Sequence, residues 1–263
     1  MARKKITALT ELLFPSFEDI VPIVQIAGGP ITKKIKSASL APGYDGWRYI
    51  GNNPKYISST SIRFENIDIS IAFPIGTKIK LTQTTVKYFY VLTSVYSGGH
   101  TILTLTGGSD FTVANAEITS FYYSHGLSYG FPDVFSYLPN IIQLTGSQPS
   151  MGNATRSGYF KLDGRLVNLF VSITMGSQTT YGDGNNWYVT YPFEWKGTIN
   201  IATGTPYIWD SGTRFYQVLM LTQAAGIMFP YPATSTVYVR NTYPMTWASG
   251  DRLWFSISYL LFD

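Results

Sequence analysis

Few residues of this 263-residue chain have the chemistry of catalysis or metal binding. Cysteine is absent, so the chain offers no thiolate nucleophile and no zinc–thiolate site. The two histidines, His100 and His125, belong to no H-x-H, H-E-x-x-H or EF-hand pattern. Because a metal site needs three or four converging ligands, we expect no metal site and structural roles for both histidines.

Pairs of carboxylates are the remaining candidates for catalysis, because glycosidases use two of them about 5 to 10 Å apart. Glu65 with Asp68, and Asp183 with Glu194, are such pairs by sequence. Strand edges and hairpin loops explain these residues at least as well, and Asp183 lacks the acidic residues that follow in a calcium loop. No nucleophile elbow, phosphate loop or dinucleotide pattern is present. We therefore expect neither an enzyme nor a bound cofactor.

The composition favours contacts through aromatic rings rather than through charge. Charged residues are 13% of the chain, against roughly 25% in ordinary soluble proteins, whereas aromatic residues are 16%. Tyrosine and tryptophan combine a large apolar area with a polar tip, as in subunit interfaces and ligand sites. Basic residues cluster only at 3–5 and 33–36, and nucleic-acid binding needs a longer basic stripe. We expect self-association or ligand binding, and no nucleic acid.

The chain also lacks the pattern of a membrane protein. No apolar run approaches the ~20 residues of a spanning helix. The opening MARKKITALTELLF begins like a signal peptide, but Thr7, Thr10 and Glu11 interrupt its apolar stretch. The sequence predicts no membrane span and synthesis in the cytosol.

The stretch 156–175 has the clearest strand pattern in the chain. Asp163-Gly164 predicts a two-residue hairpin loop, because both positions then need positive φ. Pairing Leu162 with Arg165 gives a core face of Phe160, Leu162, Val167, Leu169, Val171, Ile173 and Met175. The opposite face mixes polar and apolar residues, namely Tyr159, Lys161, Leu166, Asn168, Phe170, Ser172 and Thr174.

Short strand-like runs separated by turn residues occupy most of the chain and predict an all-β protein. We predict an extended N-terminal anchor arm at 1–40, with strands on either side of Gly28-Gly29-Pro30, and a small β-sandwich or barrel at 41–132. Residues 133–150 suit a linker, or a strand passing between subunits. Residues 151–263 predict a jelly-roll-like β-sandwich.

The predicted strands of the small domain lie at 67–73, 77–83, 87–95 and 101–106, with a weak helical pattern at 112–117. Those after the C-terminal hairpin lie at 187–191, 198–201, 205–209, 214–222, 226–229, 236–240 and 252–262. The last strand is apolar on one side and mixed on the other. This pattern predicts a central strand near a subunit axis; the alternative is a strand buried on both faces of a monomer.

Three motifs mark the N-terminal segment: I-T-x-L-T at 6–10, D-x-x-P-I-V at 19–24 and T-K-K-I at 32–35. The runs GTKIKLTQTTVKYFYV and LTLTGGSDFTVANAEITSFYYSH follow. Together they resemble the N-terminal part of tail-fibre and minor structural proteins of tailed bacteriophages. The runs ATRSGYFKLDGRLVNLFVSITMGSQTTYG and WASGDRLWFSISY are similar to the trimeric knob-like β-sandwiches of that family, which resemble the tumour necrosis factor fold.

The resemblance implies a homotrimeric virion protein that attaches by its N-terminus to other proteins of the tail, baseplate or capsid. Its C-terminal domain would face the host surface from the extracellular particle. Candidate virion-docking residues are Ile6, Leu9, Leu12, Ile20, Ile23 and Ile35. Candidate trimer-interface residues are Phe170, Trp254, Leu260 and Phe262.

A host cell-surface glycan is the expected ligand, because aromatic faces stack on sugar rings while Asn and Asp bind hydroxyls. The loops at 176–187, 193–196 and 226–233 supply the candidates Tyr181, Asn185, Asn186, Trp187, Trp195 and Tyr231. Alternatively, these rings fill loop bases or subunit contacts. Two other functions stay open: a decoration or head-fibre protein with a purely structural role, and a polysaccharide depolymerase.

Overall fold

The computed structural model describes residues 20–25, 31–36, 45–193, 203–204, 206–223, 227–232 and 238–261. In 20–25, 31–36, 203–204, 222–223 and 227–232 it describes the backbone alone. Strands account for 49% of the structure and helix for 2%, so the predicted all-β class is confirmed. The described part of the chain includes no helix with the length and apolar character to cross a membrane.

The strands form three antiparallel sheets. The first is a hairpin of β1 (Ile20–Gln25) and β2 (Ile31–Lys36). The second has seven strands: β3 (Arg48–Tyr49), β4 (Lys55–Ser58), β5 (Ser61–Glu65), β6 (Lys78–Thr82), β7 (Val86–Ser97), β8 (His100–Thr106) and β9 (Ser120–Ser124).

The third sheet has ten strands and includes the C-terminal hairpin. Its members are β10 (Phe135–Tyr137), β11 (Ile141–Ile142), β12 (Thr155–Asp163), β13 (Leu166–Thr174), β14 (Tyr188–Thr190), β15 (Thr203–Gly204), β16 (Tyr207–Asp210), β17 (Arg214–Gln223), β18 (Ile227–Pro232) and β19 (Arg252–Leu260).

The seven-stranded sheet coils around its own core. Its order is β3-β9-β6-β7-β8-β5-β4, so four strand steps separate β9 from β5. In a flat sheet these strands would lie about 19 Å apart, at ~4.8 Å a step. The ring centroids of Phe64 on β5 and Phe121 on β9 are nevertheless only 5.1 Å apart. The sheet therefore curls until its two ends share one aromatic core, to which Phe73 also belongs.

Two segments of this region differ from the sequence prediction because side chains form hydrogen bonds with their backbone N–H and C=O groups. Residues 67–73 form a 3₁₀ turn at Ser70–Ala72 instead of a strand, since the Asp68 carboxylate accepts hydrogen bonds from the Ser70 N–H and hydroxyl. Residues 112–117 form no helix. The buried amide of Gln83 instead donates to Ala114 O and Ala116 O and accepts from Ala114 N. Strands β3, β4, β5 and β9 were not predicted.

The ten-stranded sheet folds over into a β-sandwich because β17 belongs to both layers. Its first half pairs with β16 and its second half with β18. The sheet order is β10-β12-β13-β19-β16-β17-β18-β14-β11, with β15 also beside β19. Side chains of both layers, including Val171, Val189, Met220 and Phe255, meet in one core.

The hairpin of β12 and β13 has the predicted faces but a different turn. Asp163 pairs with Leu166, so Gly164-Arg165 forms the loop, and of these two residues only Gly164 has a positive φ, +57°. The predicted core residues, from Phe160 to Met175, are all buried. The opposite face is exposed or half-buried throughout.

The segment 133–150 provides edge strands of the sandwich. Strand β10 pairs with β12, and β11 pairs with β14. Phe135 and Ile141 enter the core, and the Arg156 guanidinium donates to Pro139 O at 3.2 Å. Residues 238–240, predicted as part of a strand, form only the bridge between Arg240 and Tyr243. The predicted strand at 198–201 lies outside the described residues.

Strand β7 joins the coiled sheet to the sandwich. Phe89 and Val91 enter the core of the coiled sheet, whereas Tyr90, on the opposite side of the strand, enters the sandwich core. The Tyr90 ring lies 5.0 Å from Phe131 and 5.3 Å from Phe135, both in edge-on geometry. The two bodies are therefore in direct aromatic contact.

Candidate functional site

Two loops of the sandwich, 143–147 and 182–187, meet around the carboxylate of Asp183, and a third, 240–243, joins them where Asn241 Nδ2 donates to Gly182 O at 3.4 Å. The Asp183 carboxylate oxygens accept hydrogen bonds from Ser147 N at 2.9 Å and from Asn185 N and Nδ2 at 3.1 and 2.7 Å. These bonds, first those from Ser147 and Asn185 main chain, hold the pKa of Asp183 below its ordinary value. Asp183 thus acts as a hub that ties the loops 143–147 and 182–187 together.

Gln143 supports the same arrangement from inside. Its buried side-chain amide donates to Asp183 O at 3.0 Å and to Asn185 O at 2.9 Å. Gly146 makes the close approach possible, because a Cβ there would overlap the Asp183 carboxylate. The loop backbone is therefore held by bonds between residues about 40 positions apart in sequence.

These loops enclose a cavity of about 250 Å³, which we call the loop cavity. It is lined by Leu144, Thr145, Gly184, Asn185, Asn186, Tyr188 and Arg240. Two of the predicted ligand-binding residues, Asn185 and Asn186, thus lie together. The sequence prediction missed Tyr188 and Arg240, since nothing in the local pattern indicates that residue 240 meets residues 144–145.

Trp187 was predicted to bind ligand, and this prediction is wrong for its ring. The side chain is 1% exposed; its ring is tilted against Trp247 at 4.9 Å and stacked on Tyr181 at 6.1 Å. Its indole N–H donates to Tyr181 O, and that of Trp247 donates to Arg240 O. The alternation of β14 turns residues 187 and 189 toward the core and Tyr188 toward the cavity. Trp187 therefore supports the cavity floor.

The other predicted ligand residues lie elsewhere. Tyr181 is half-buried in the stack with Trp187. Tyr231 pairs with Leu219 through the backbone of β18. Trp195 lies outside the described residues.

Three of the four predicted trimer-interface residues lie on the outer face of the sandwich. Phe170 is 42% exposed and Leu260 50% exposed, and Trp254 is half-buried. Strand pairing aligns Phe170 with Ser256 and Trp254 with Tyr207. Phe262 lies outside the described residues.

More aromatic residues than predicted share this face. Trp209 and Phe215 stack at 6.1 Å, and Phe215 meets Trp254 edge-on at 5.9 Å. Arg252 covers Trp209 with its guanidinium carbon 4.7 Å from the ring centroid. We call this surface of β12, β13, β19, β16 and β17 the aromatic face.

The predicted virion-docking residues are described only in part. Ile20 pairs with Lys36, Ile23 with Lys33, and Val21 with Ile35 in the hairpin of β1 and β2. Ile6, Leu9 and Leu12 lie outside the described residues.

Glu194 lies outside the described residues, and the other acidic residues and histidines considered for catalysis or metal binding have other contacts. Glu65 pairs with Lys55 at 2.6 Å and Arg63 at 3.0 Å, which lowers its pKa, chiefly through the Lys55 hydrogen bond. His125 Nε2 lies 2.9 Å from Ala72 O, and His100 pairs with Ser97 across the β7–β8 turn. Among the residues whose side chains are described, no three His, Asp or Glu groups converge on a metal position.

Comparisons with known proteins add no relative. No protein family, curated protein or solved structure matches this chain.

Proposed function

We propose that this protein is a homotrimeric fibre or receptor-binding protein of a tailed bacteriophage. Its N-terminal segment attaches to the virion, and its C-terminal sandwich contacts the host surface without chemical conversion of the ligand. The observation that carries the proposal is the aromatic face, which leaves a row of rings in water on a single subunit.

The chemistry of the aromatic face suits burial against identical copies. Phe215 is 64% exposed, and contiguous apolar surface of this kind marks an interaction site. Two polar residues of this face are already paired with each other, since Ser258 Oγ donates to Asn168 Oδ1 at 2.7 Å. Covering them therefore leaves few polar groups without hydrogen bonds. A closed trimer would bury the face three times over, as a symmetric oligomer does.

The loop cavity supports the second half of the proposal. It is small, polar and framed by two asparagines, a tyrosine and an arginine, the residue types that bind sugar hydroxyls and acidic groups. Loops on a rigid scaffold are the usual location of binding residues, and the Asp183 network fixes these loops.

Light scattering on the purified protein tests trimerisation. We expect a mass three times that of the 29.3 kDa chain. Replacement of Phe170 by Glu should reduce the mass to that of one chain, because a charge would be buried in the interface. Tyr96→Glu is the matched control, since Tyr96 is 46% exposed on the other sheet. A single-chain mass for the unaltered protein would overturn the trimer.

Adsorption assays and antibody labelling of particles test the role. A receptor-binding protein should carry label at the fibre tips and, added in excess, should block adsorption to host cells. Label on the capsid without any block of adsorption would indicate the decoration protein instead. Release of reducing sugar ends from host polysaccharide would indicate the depolymerase.

A further inference from the structure

Arg240 lacks an anionic partner in the described part of the protein. Its Nε is buried without a hydrogen bond there, and no ion pair between described residues includes its guanidinium group. Asp183, the sole carboxylate in the sequences of the three loops, already binds Ser147 and Asn185. Residues 233–237, which precede Arg240, read ATSTV and add no acidic side chain. Arg240 is half-buried and lines the cavity, and a guanidinium that is partly removed from water is stabilised by an anion, so the site is suited to an acidic ligand group.

The other walls of the loop cavity match a sugar ring. The Nδ2 of Asn185 donates to Thr145 O and to Asp183, and its Oδ1 has no donor among the described residues. That oxygen can accept a hydrogen bond from a sugar hydroxyl. The side chains of Tyr188 and Asn186 form a hydrogen bond. The tyrosine therefore provides an apolar wall with a polar tip. Leu144, 55% exposed, provides apolar surface at the rim.

From this geometry we infer that the loop cavity binds one anionic sugar residue, with Arg240 on the acidic group and Asn185 on a hydroxyl. The volume of about 250 Å³ is below the roughly 300 to 1,000 Å³ of sites for drug-sized ligands, so a single ring fits better than a chain. The planar guanidinium binds carboxylate and phosphate in the same two-pronged way. The inference rests on the proposed function for the biological source of the sugar, but its test does not.

Calorimetry with three small probes tests the inference on the full-length protein. The probes are glucuronic acid, glucose 6-phosphate and glucose. We expect at least one acidic probe to bind roughly tenfold more tightly than glucose, and to weaken at high salt. Whether glucuronic acid or glucose 6-phosphate binds more tightly shows whether the site prefers a carboxylate or a phosphate. Equal affinity for all three, or no binding by either acidic probe at millimolar concentration, would overturn the inference.

Substitutions of the cavity wall make the test specific. Arg240→Gln should lower the affinity for the acidic probe roughly tenfold. Arg240→Lys should lower it by less, because lysine keeps the charge but lacks the paired N–H donors of the planar guanidinium. The main-chain bonds of Arg240 with Tyr243 and Trp247 do not involve the replaced side chain. Arg48→Gln removes the same charge from a different cavity and should leave binding unchanged.

A rim variant covers the case in which Arg240→Gln does not fold. Leu144→Glu places a carboxylate at the cavity mouth and should repel acidic probes, whereas Leu138→Glu, at a residue 61% exposed elsewhere, should not. Undiminished binding by Leu144→Glu would overturn the inference.

Adsorption assays separate this inference from the proposed function. If neither acidic probe binds but the protein blocks adsorption, and Arg240→Gln and Leu144→Glu block it equally well, the inference fails and the receptor-binding role stands. If acidic sugars bind through Arg240 but no form of the protein blocks adsorption, the role fails and the cavity assignment stands.

Discussion

Gly76 and Gly164 are in backbone contact across the junction between the coiled sheet and the sandwich. A Cβ at Gly76 would overlap Gly164 O and would lie 2.7 Å from Gly164 Cα, and Gly76 has a φ of +84°. We expect Gly76→Ala to lower the free energy of unfolding by about 3 kcal/mol, because the strained φ and the displaced turn both add cost. Urea unfolding at neutral pH measures this loss.

Gly99→Ala is the matched control for the contact. Gly99 has nearly the same φ, +83°, but a Cβ there would meet nothing within 4 Å. Gly99→Ala should therefore lower the free energy of unfolding only by the cost of a positive φ at alanine, about 1 kcal/mol. Equal losses for the two variants would show that the junction tolerates the extra methyl group.

Asp251 holds the turn between β16 and β17 against the start of β19. The residue is 2% exposed, and its carboxylate accepts hydrogen bonds from Ser211 N at 2.9 Å and Ala248 N at 2.7 Å. Asp251→Ala leaves two N–H groups without their acceptor, so we expect a loss of about 3 kcal/mol in urea unfolding. Asp251→Asn retains one acceptor oxygen and should lose about half as much.

The exposed Asp133 supplies the control for that measurement. Asp133→Ala should change the free energy of unfolding by less than about 0.5 kcal/mol. A similarly small change for Asp251→Ala would contradict the role assigned to the buried carboxylate.

Two buried tyrosines, Tyr90 and Tyr259, and the half-buried Tyr137 should make the protein sensitive to alkaline pH. Burial raises the pKa of Tyr90 to about 12 and also raises the pKa of Tyr137 and Tyr259. The folded state thus retains these protons more strongly than the unfolded chain. Their stabilising contribution is complete below the ordinary tyrosine pKa of about 10 and is lost as the pH rises through the folded values. Phenolate absorbance and circular dichroism, followed together, should show unfolding in that range.

Tyr259→Phe refines the alkaline prediction. The Tyr259 hydroxyl is buried and makes no hydrogen bond among the described residues, so its removal should move the alkaline midpoint upward without loss at neutral pH. Tyr129→Phe, at a residue 86% exposed, should leave the midpoint unchanged. A lower midpoint for Tyr259→Phe would contradict the assignment.

The hairpin of β12 and β13 illustrates how much of the fold the sequence predicts. Alternation identified both faces correctly although the predicted turn was displaced. Leu162 was predicted opposite Arg165 and lies opposite Val167, a difference of two residues. An even shift keeps the same side chains on each face, so burial was predicted without the exact pairing.

Contacts between distant segments could not be predicted in this way. Phe64 and Phe121 meet only because the sheet coils, and a strand pattern contains no signal of that curvature. The loop cavity likewise combines residues 144–145, 184–188 and 240, which hydrogen bonds of Asp183 with Ser147 and of Asn241 with Gly182 bring together. The asparagines were predicted from their residue type. Arg240 was not predicted, because the residues that share the cavity with it come from distant parts of the sequence.

Asp183 should control the order of the loop cavity through its charge. The folded state holds the pKa of this carboxyl below its ordinary value of 3.8, so its contribution is present above about pH 4 and is lost as the pH falls through the folded value. Asp183→Ala should therefore loosen the loops at neutral pH, with faster amide exchange at Ser147 and Asn185, which lose their acceptor. The exposed Asp163 is the control: Asp163→Ala should leave both amides protected. Unchanged protection in Asp183→Ala would mean that Gln143 alone fixes the loops.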